Sequence, residues 1–95
     1  MVAPNSPSVL CVDDDRDVAE LIQAILTDEG YVTSCLYTLD DEAVLRAAGR
    51  LEPDCVLLDG TAGPEYGRSW EAAASLAARH RPVPVIMFTA HQAAV

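Results

Sequence analysis

Ninety-five residues give one domain, which at this size buries roughly 60–65% of the surface its unfolded chain exposes, and leave no room for a second. With 51% apolar and 22% charged residues, and no apolar run near the roughly 20 residues that span a bilayer, a soluble, cytoplasmic chain with no membrane partner is expected. Fifteen acids against six arginines and no lysine give a net charge of −9, which excludes direct nucleic-acid binding and favours a divalent cation or a basic protein surface.

Residues 1–7, with Pro4 and Pro7 around Asn5 and Ser6, read as a disordered leader before a domain over residues 8–95. Val9 to Val12 is an uninterrupted apolar run, as expected of a strand covered on both faces. Val18, Leu21, Ile22, Ile25 and Leu26 then repeat at the spacing of an amphipathic helix's apolar stripe, which Gly30 ends. Tyr31 to Leu36 is a shorter, less buried strand suited to a sheet edge. Asp40 or Asp41 caps a second helix bearing Ala43, Val44, Ala47 and Ala48, fading around Gly49 and over by Pro53. Cys55 to Leu58 is the third strand. A glycine-rich loop from Gly60 to Gly67, a third helix from Ser69 to Arg79 and a fourth strand from Val83 to Phe88 follow, with Pro84 near that strand's start. The alternation β-α-β-α-β-α-β demands right-handed crossovers and a parallel sheet with helices on both faces. Cys11, Cys35 and Cys55 lie in or beside apolar runs, lack CxxC spacing, and read as small buried hydrophobes of a reducing compartment.

Three of the strands stop at groups able to do chemistry. Val12 is followed by Asp13-Asp14-Asp15, Leu58 by Asp59, and Phe88 by Thr89 and Ala90. Neighbouring parallel strands bring their carboxyl ends to one crevice, so these acids converge on a site suited to a hard cation with oxygen ligands. A strand-to-loop transition at Asp13-Asp14 turns both carboxylates toward it. By itself the acidic triplet also suits a loop that caps the first helix. Asp59, where a buried strand opens into a loop, is placed to act as a nucleophile and form an acyl phosphate, and Thr89 to donate to a phosphoryl oxygen.

Val9-Leu10-Cys11-Val12-Asp13-Asp14-Asp15, Val56-Leu57-Leu58-Asp59, Gly67 eight residues on, and Val85-Ile86-Met87-Phe88-Thr89-Ala90 resemble the receiver domain of two-component response regulators. The resemblance runs from Val9 to His91 and implies the α/β, flavodoxin-like doubly wound fold with a parallel sheet of order 2-1-3-4, the fifth strand and last helices missing from this chain. It implies that Asp59 is the phosphoacceptor, taking its phosphoryl group from a sensor histidine kinase or histidine phosphotransfer protein. Asp13, Asp14, Asp59 and the backbone carbonyl of Thr61 would hold Mg2+, and Thr89 and Ala90 would contact the phosphoryl group, with Thr89 the switch hydroxyl. On this reading the chain is no enzyme beyond its own phosphorylation and dephosphorylation.

Three departures bear on that expectation. The chain ends at Val95 with no lysine, whereas the family pattern places one at the end of a fifth strand; Gly63 stands where a proline is usual, with Pro64 after it; and His91 lies two residues past Thr89. Without the last elements the fourth strand becomes an exposed apolar edge, through which a homodimer is expected if the chain is not a fragment. The competing reading is a phosphorylation-independent pseudo-receiver acting as a protein–protein interaction module. Two others fall away. A phosphohydrolase of the DxDGT type would need its nucleophile two residues before Asp59, where Leu57 stands, and a dinucleotide would meet acids instead of a glycine-rich loop after the first strand.

Overall fold

The computed structural model describes residues 6–38, 40–59, 75–76, 78 and 83–88. Their element order is β1 (Ser8–Val12), α1 (Arg16–Asp28), β2 (Val32–Leu36), α2 (Asp41–Leu51), β3 (Cys55–Asp59) and β4 (Val85–Phe88). The four strands form one parallel sheet in the order β2-β1-β3-β4. That is the expected order, with β2 at one edge. Of the third helix expected over Ser69–Arg79, Ser75 and Leu76 are helical and Ala78 lies in a turn; the rest lies outside the described residues.

Alternation along the strands sorts their side chains between two faces. Leu10, Val12, Val56 and Leu58 point to one face and form the main core with Val44, Ala47 and Ala48 of α2 and with Leu76. Cys11 points to the other face, as does Cys35, its register partner on β2, which touches α1 through Ala19. The two helices therefore cover opposite faces, as the strand–helix alternation requires.

Local signals place the helix ends. The Asp15 carboxylate accepts from the amides of Asp17 (3.0 Å) and Val18 (3.3 Å) and starts α1. Asp40, of the two candidate caps, starts α2 by accepting from the Ala43 amide at 3.1 Å. α2 runs through Gly49 to Leu51 and closes with Glu52 in the left-handed region (φ 46°, ψ 56°). The helix thus ends before Pro53, as expected, and packing of Val44, Ala47 and Ala48 on the sheet carries it through the low propensity of Gly49.

Four details differ from the expectation. In α1, Leu21 (61% exposed) and Ile25 (55%) face away from the core, while Ala19 is fully buried. The helix presents Ala19 to the sheet because only a small side chain permits close approach to Cys35, and Gln23 beside it donates from Nε2 to the Thr33 carbonyl at 3.1 Å. β4 begins at Val85 and not Val83, since Pro84 has no amide to pair and its carbonyl instead accepts from Val56 N–H at 2.9 Å. β2 begins at Val32 because the Tyr31 amide closes the end of α1 on the Leu26 carbonyl. Pro7, assigned to a disordered leader, holds the Val32 amide with its carbonyl at 2.9 Å, and β1 starts immediately after it at Ser8; residues 1–5 lie outside the described residues.

Candidate functional site

The register that pairs Val12 with Leu58 carries Asp13 to the side of Asp59, one step beyond the end of β1. Both acids point to the α1 face, and both are buried, Asp13 at 1% exposure and Asp59 at 4%. Asp14 is exposed, yet its carboxylate still turns toward theirs. One oxygen from each of Asp13, Asp14 and Asp59 lies within 4.8 Å of the other two. The strand-to-loop transition expected at this point is therefore what brings two consecutive acids to one place.

Backbone hydrogen bonds fix this geometry. The Asp13 amide donates to the Leu36 carbonyl at the end of β2 (3.0 Å), so the edge strand holds the first acid. No side-chain pattern in the sequence announces that contact. Asp13 Oδ1 accepts from the Asp15 amide at 2.9 Å, tying the loop to the start of α1. Its other oxygen, Oδ2, is buried and receives no hydrogen bond. Asp15, the third acid of the triplet, belongs to the helix cap, so the capping role holds for Asp15 while Asp13 and Asp14 converge with Asp59.

The electrostatics follow from burial of like charges. Burial pushes the Asp13 carboxyl up to about 6, against the Asp15 amide, which favours the anion; the charges of Asp59 and Asp14 and contact with the Asp59 side chain raise it further. Two residues earlier, burial pushes the Cys11 thiol up to about 12, with Cys35, Asp13 and Asp59 adding to the shift. Beside this cluster, the Arg16 guanidinium lies over the Tyr37 ring at 4.1 Å, one group from the first turn of α1 and the other from just past β2. Twenty-one residues separate them in the chain, and the fold alone makes them neighbours.

Such a set can hold a hard divalent cation. The donors are all carboxylate oxygens, which suit magnesium or calcium, and Asp13 Oδ2 is a buried acceptor lacking a donor. Thr61, Gly63, Pro64, Gly67, Thr89, Ala90 and His91 lie outside the described residues. Among the described residues no helix is long and apolar enough to cross a membrane.

The sequence matches the family described as the response regulator receiver domain over residues 9–95. The chain is 35% identical over 86 residues to the DNA-binding response regulators MtrA of Mycolicibacterium paratuberculosis and Mycobacterium leprae, covering 86% of this chain. It spans 34% of the length of those relatives. Among solved structures, the N-terminal domain of a response regulator receiver protein from Methanoculleus marisnigri superposes with a TM-score of 0.74 at 28% identity, over 93% of this chain and 70% of that one. A response regulator receiver protein from Burkholderia phymatum gives 0.69 at 36% identity, over 90% and 67%. With the four-stranded sheet order and the acidic cluster at its carboxyl end, these matches show that the chain belongs to the response regulator receiver domain family of two-component signalling.

Proposed function

We propose that the chain is a working, cytoplasmic, phosphate-accepting receiver, with Asp59 as acceptor and a sensor histidine kinase or histidine phosphotransfer protein as donor. The observation that supports this most is the convergence of Asp13, Asp14 and Asp59 within 4.8 Å around a buried carboxylate oxygen that no donor satisfies. Asp13, Asp14, Asp59 and the Thr61 carbonyl would hold magnesium, which when bound supplies the positive charge that lets an anionic phosphoryl group approach three acids. Asp59 is the nucleophile: its carboxylate oxygen forms the bond to phosphorus as the phosphorus–nitrogen bond of the donor phosphohistidine breaks. Asp13, anchored by the Leu36 carbonyl and the Asp15 amide, keeps its place beside the acceptor. Thr89 and Ala90 are assigned to the phosphoryl-contacting side of the pocket, and the phosphate biases a loop arrangement that a partner or output domain reads. The chain has no turnover of its own beyond gain and loss of this phosphate.

Incubation with magnesium and a small acyl phosphate is expected to add one phosphoryl mass, and Asp59→Asn to abolish the addition. A chain that binds magnesium and gains no mass overturns this reading.

One feature of the sequence favours a second reading. Gly63 stands where the family pattern usually has a proline, as suits an interaction module that works without phosphorylation. Failure to bind magnesium at millimolar concentration would select that module. If the sequence is not a piece of a longer protein, we propose that β4, at the edge of the described sheet with Ile86 56% exposed, pairs with a second copy. Sedimentation of the chain as a monomer at high concentration would exclude such pairing.

A further inference from the structure

Alternation and register place all three cysteines on the α1 face of the sheet: Cys11 and Cys35 are register partners on β1 and β2, and Cys55 is the partner of Val9. Cys11 is fully buried, while Cys35 is half-buried on the edge strand, its thiol donating to the Ala19 carbonyl at 3.6 Å. Register partners on parallel strands stand about 4.8 Å apart. A disulfide accepts Cα separations of about 4.4–6.8 Å, so backbone spacing permits a bond between Cys11 and Cys35. Cys55, displaced by two positions, is not in register with either. The pair also sits beside the candidate site. Cys11 precedes Asp13 by two residues, and Cys35 immediately precedes Leu36, whose carbonyl holds the Asp13 amide.

We infer that Cys11 and Cys35 form a reversible disulfide that acts as a redox brake on the acidic site; the effect on metal binding rests on the magnesium reading above. The oxidant is hydrogen peroxide. Cys35, the more accessible sulfur, attacks the peroxide oxygen as its thiol proton is lost; the oxygen–oxygen bond breaks, leaving Cys35 as a sulfenic acid and releasing water once the departing oxygen is protonated. The Cys11 sulfur then attacks the Cys35 sulfur, and the sulfenic hydroxyl leaves as water with the Cys11 proton. Two thiols are oxidised and one peroxide is reduced; a dithiol returns both. Disulfides favour Cα separations of about 5.5–6 Å, wider than the strand spacing of about 4.8 Å, so closing the bond presses β1 away from β2 directly below Asp13 and alters its spacing from β3, which carries Asp59.

The whole folded chain is treated with hydrogen peroxide, and its intact mass and unreduced peptide map are compared with those of the reduced protein. The expected product has lost two hydrogens, links Cys11 to Cys35, leaves Cys55 open to alkylation, and reverts with dithiothreitol. Cys35→Ser is expected to abolish the loss. Magnesium affinity of the disulfide form should be lower by roughly tenfold. Linkage through Cys55, or further oxidation of Cys35 with Cys11 still free, overturns the disulfide. An unchanged magnesium affinity after complete disulfide formation overturns the brake. A reduced chain that binds no magnesium fails the metal reading, while the mass measurement still judges the disulfide.

Discussion

Asp13 is buried to 1% exposure beside two other acids, which raises its carboxyl from 3.8 to about 6. The folded chain therefore keeps a proton there that the unfolded chain has already released. Its contribution to stability is fully present below about 3.8 and is lost as pH rises through about 6. The whole change corresponds to about 3 kcal/mol. A cation shared by the acids removes that cost only where Asp13 is ionised, so magnesium should raise the thermal midpoint clearly at pH 7.5 and little at pH 5. Asp13→Asn should stabilise the magnesium-free protein above pH 6 and remove most of the magnesium effect, as thermal melts across pH would measure. Asp15 behaves differently, because its carboxylate serves the amides of Asp17 and Val18. Asp15→Ala should cost about 1 kcal/mol of unfolding free energy in urea titrations and leave magnesium affinity within a few-fold. The first and third acids of one triplet thus separate into a site carboxylate and a helix cap. Their shared residue type conceals this in the sequence, and only the direction of the backbone after Val12 reveals it.

At the scale of elements, the sheet is fastened at its amino end as well as its carboxyl end. The Ser8 amide donates to Asp54 Oδ2 at 2.7 Å, the Ser8 hydroxyl reaches the same oxygen at 3.3 Å, and the Asp54 amide returns a bond to the Ser8 carbonyl at 2.9 Å. This clamp fixes the register of β1 against β3, and hence the meeting of Asp13 and Asp59 at the far end. Asp54→Ala should lower stability by about 1 kcal/mol and weaken magnesium binding slightly, although the clamp lies on the side of the sheet away from the site. Glu52 ends α2 in the left-handed region, where a side chain carries strain. Glu52→Gly should raise stability by roughly 0.5–1 kcal/mol, readable in the same titrations. The existence and order of these elements were legible from apolar runs and capping acids. Their edges were not. β4 lost two residues to a proline, and β2 lost Tyr31 to the end of α1.

At the scale of the whole molecule, the two faces of the sheet are unequally filled among the described residues. Leu10, Val12, Val44, Val56, Leu58 and Leu76 make a dense core on the α2 side, whereas Leu21 and Ile25 of α1 and Ile86 of β4 remain open. Leu58→Ala should therefore cost about 2–5 kcal/mol, and Leu21→Gln less than about 0.5 kcal/mol, in equilibrium unfolding of the same chain. A large cost at Leu21 would mean that this face is covered in solution. The periodicity of α1 suggested a single buried stripe because it records which residues are apolar and not how wide a surface faces them. Leu21 and Ile25 belong to the pattern but lie beyond the strip of sheet that α1 covers.

By itself the sequence determined the parallel α/β class, the strand order through family resemblance, and the acids at two strand ends, since each is written in local runs and short spacings. Tertiary structure decided which acid caps a helix, which carboxylate oxygen is buried without a donor, and that Cys11 meets Cys35. Those outcomes depend on strand register and helix rotation, which arise from contacts between residues far apart in the chain, and no local pattern encodes them.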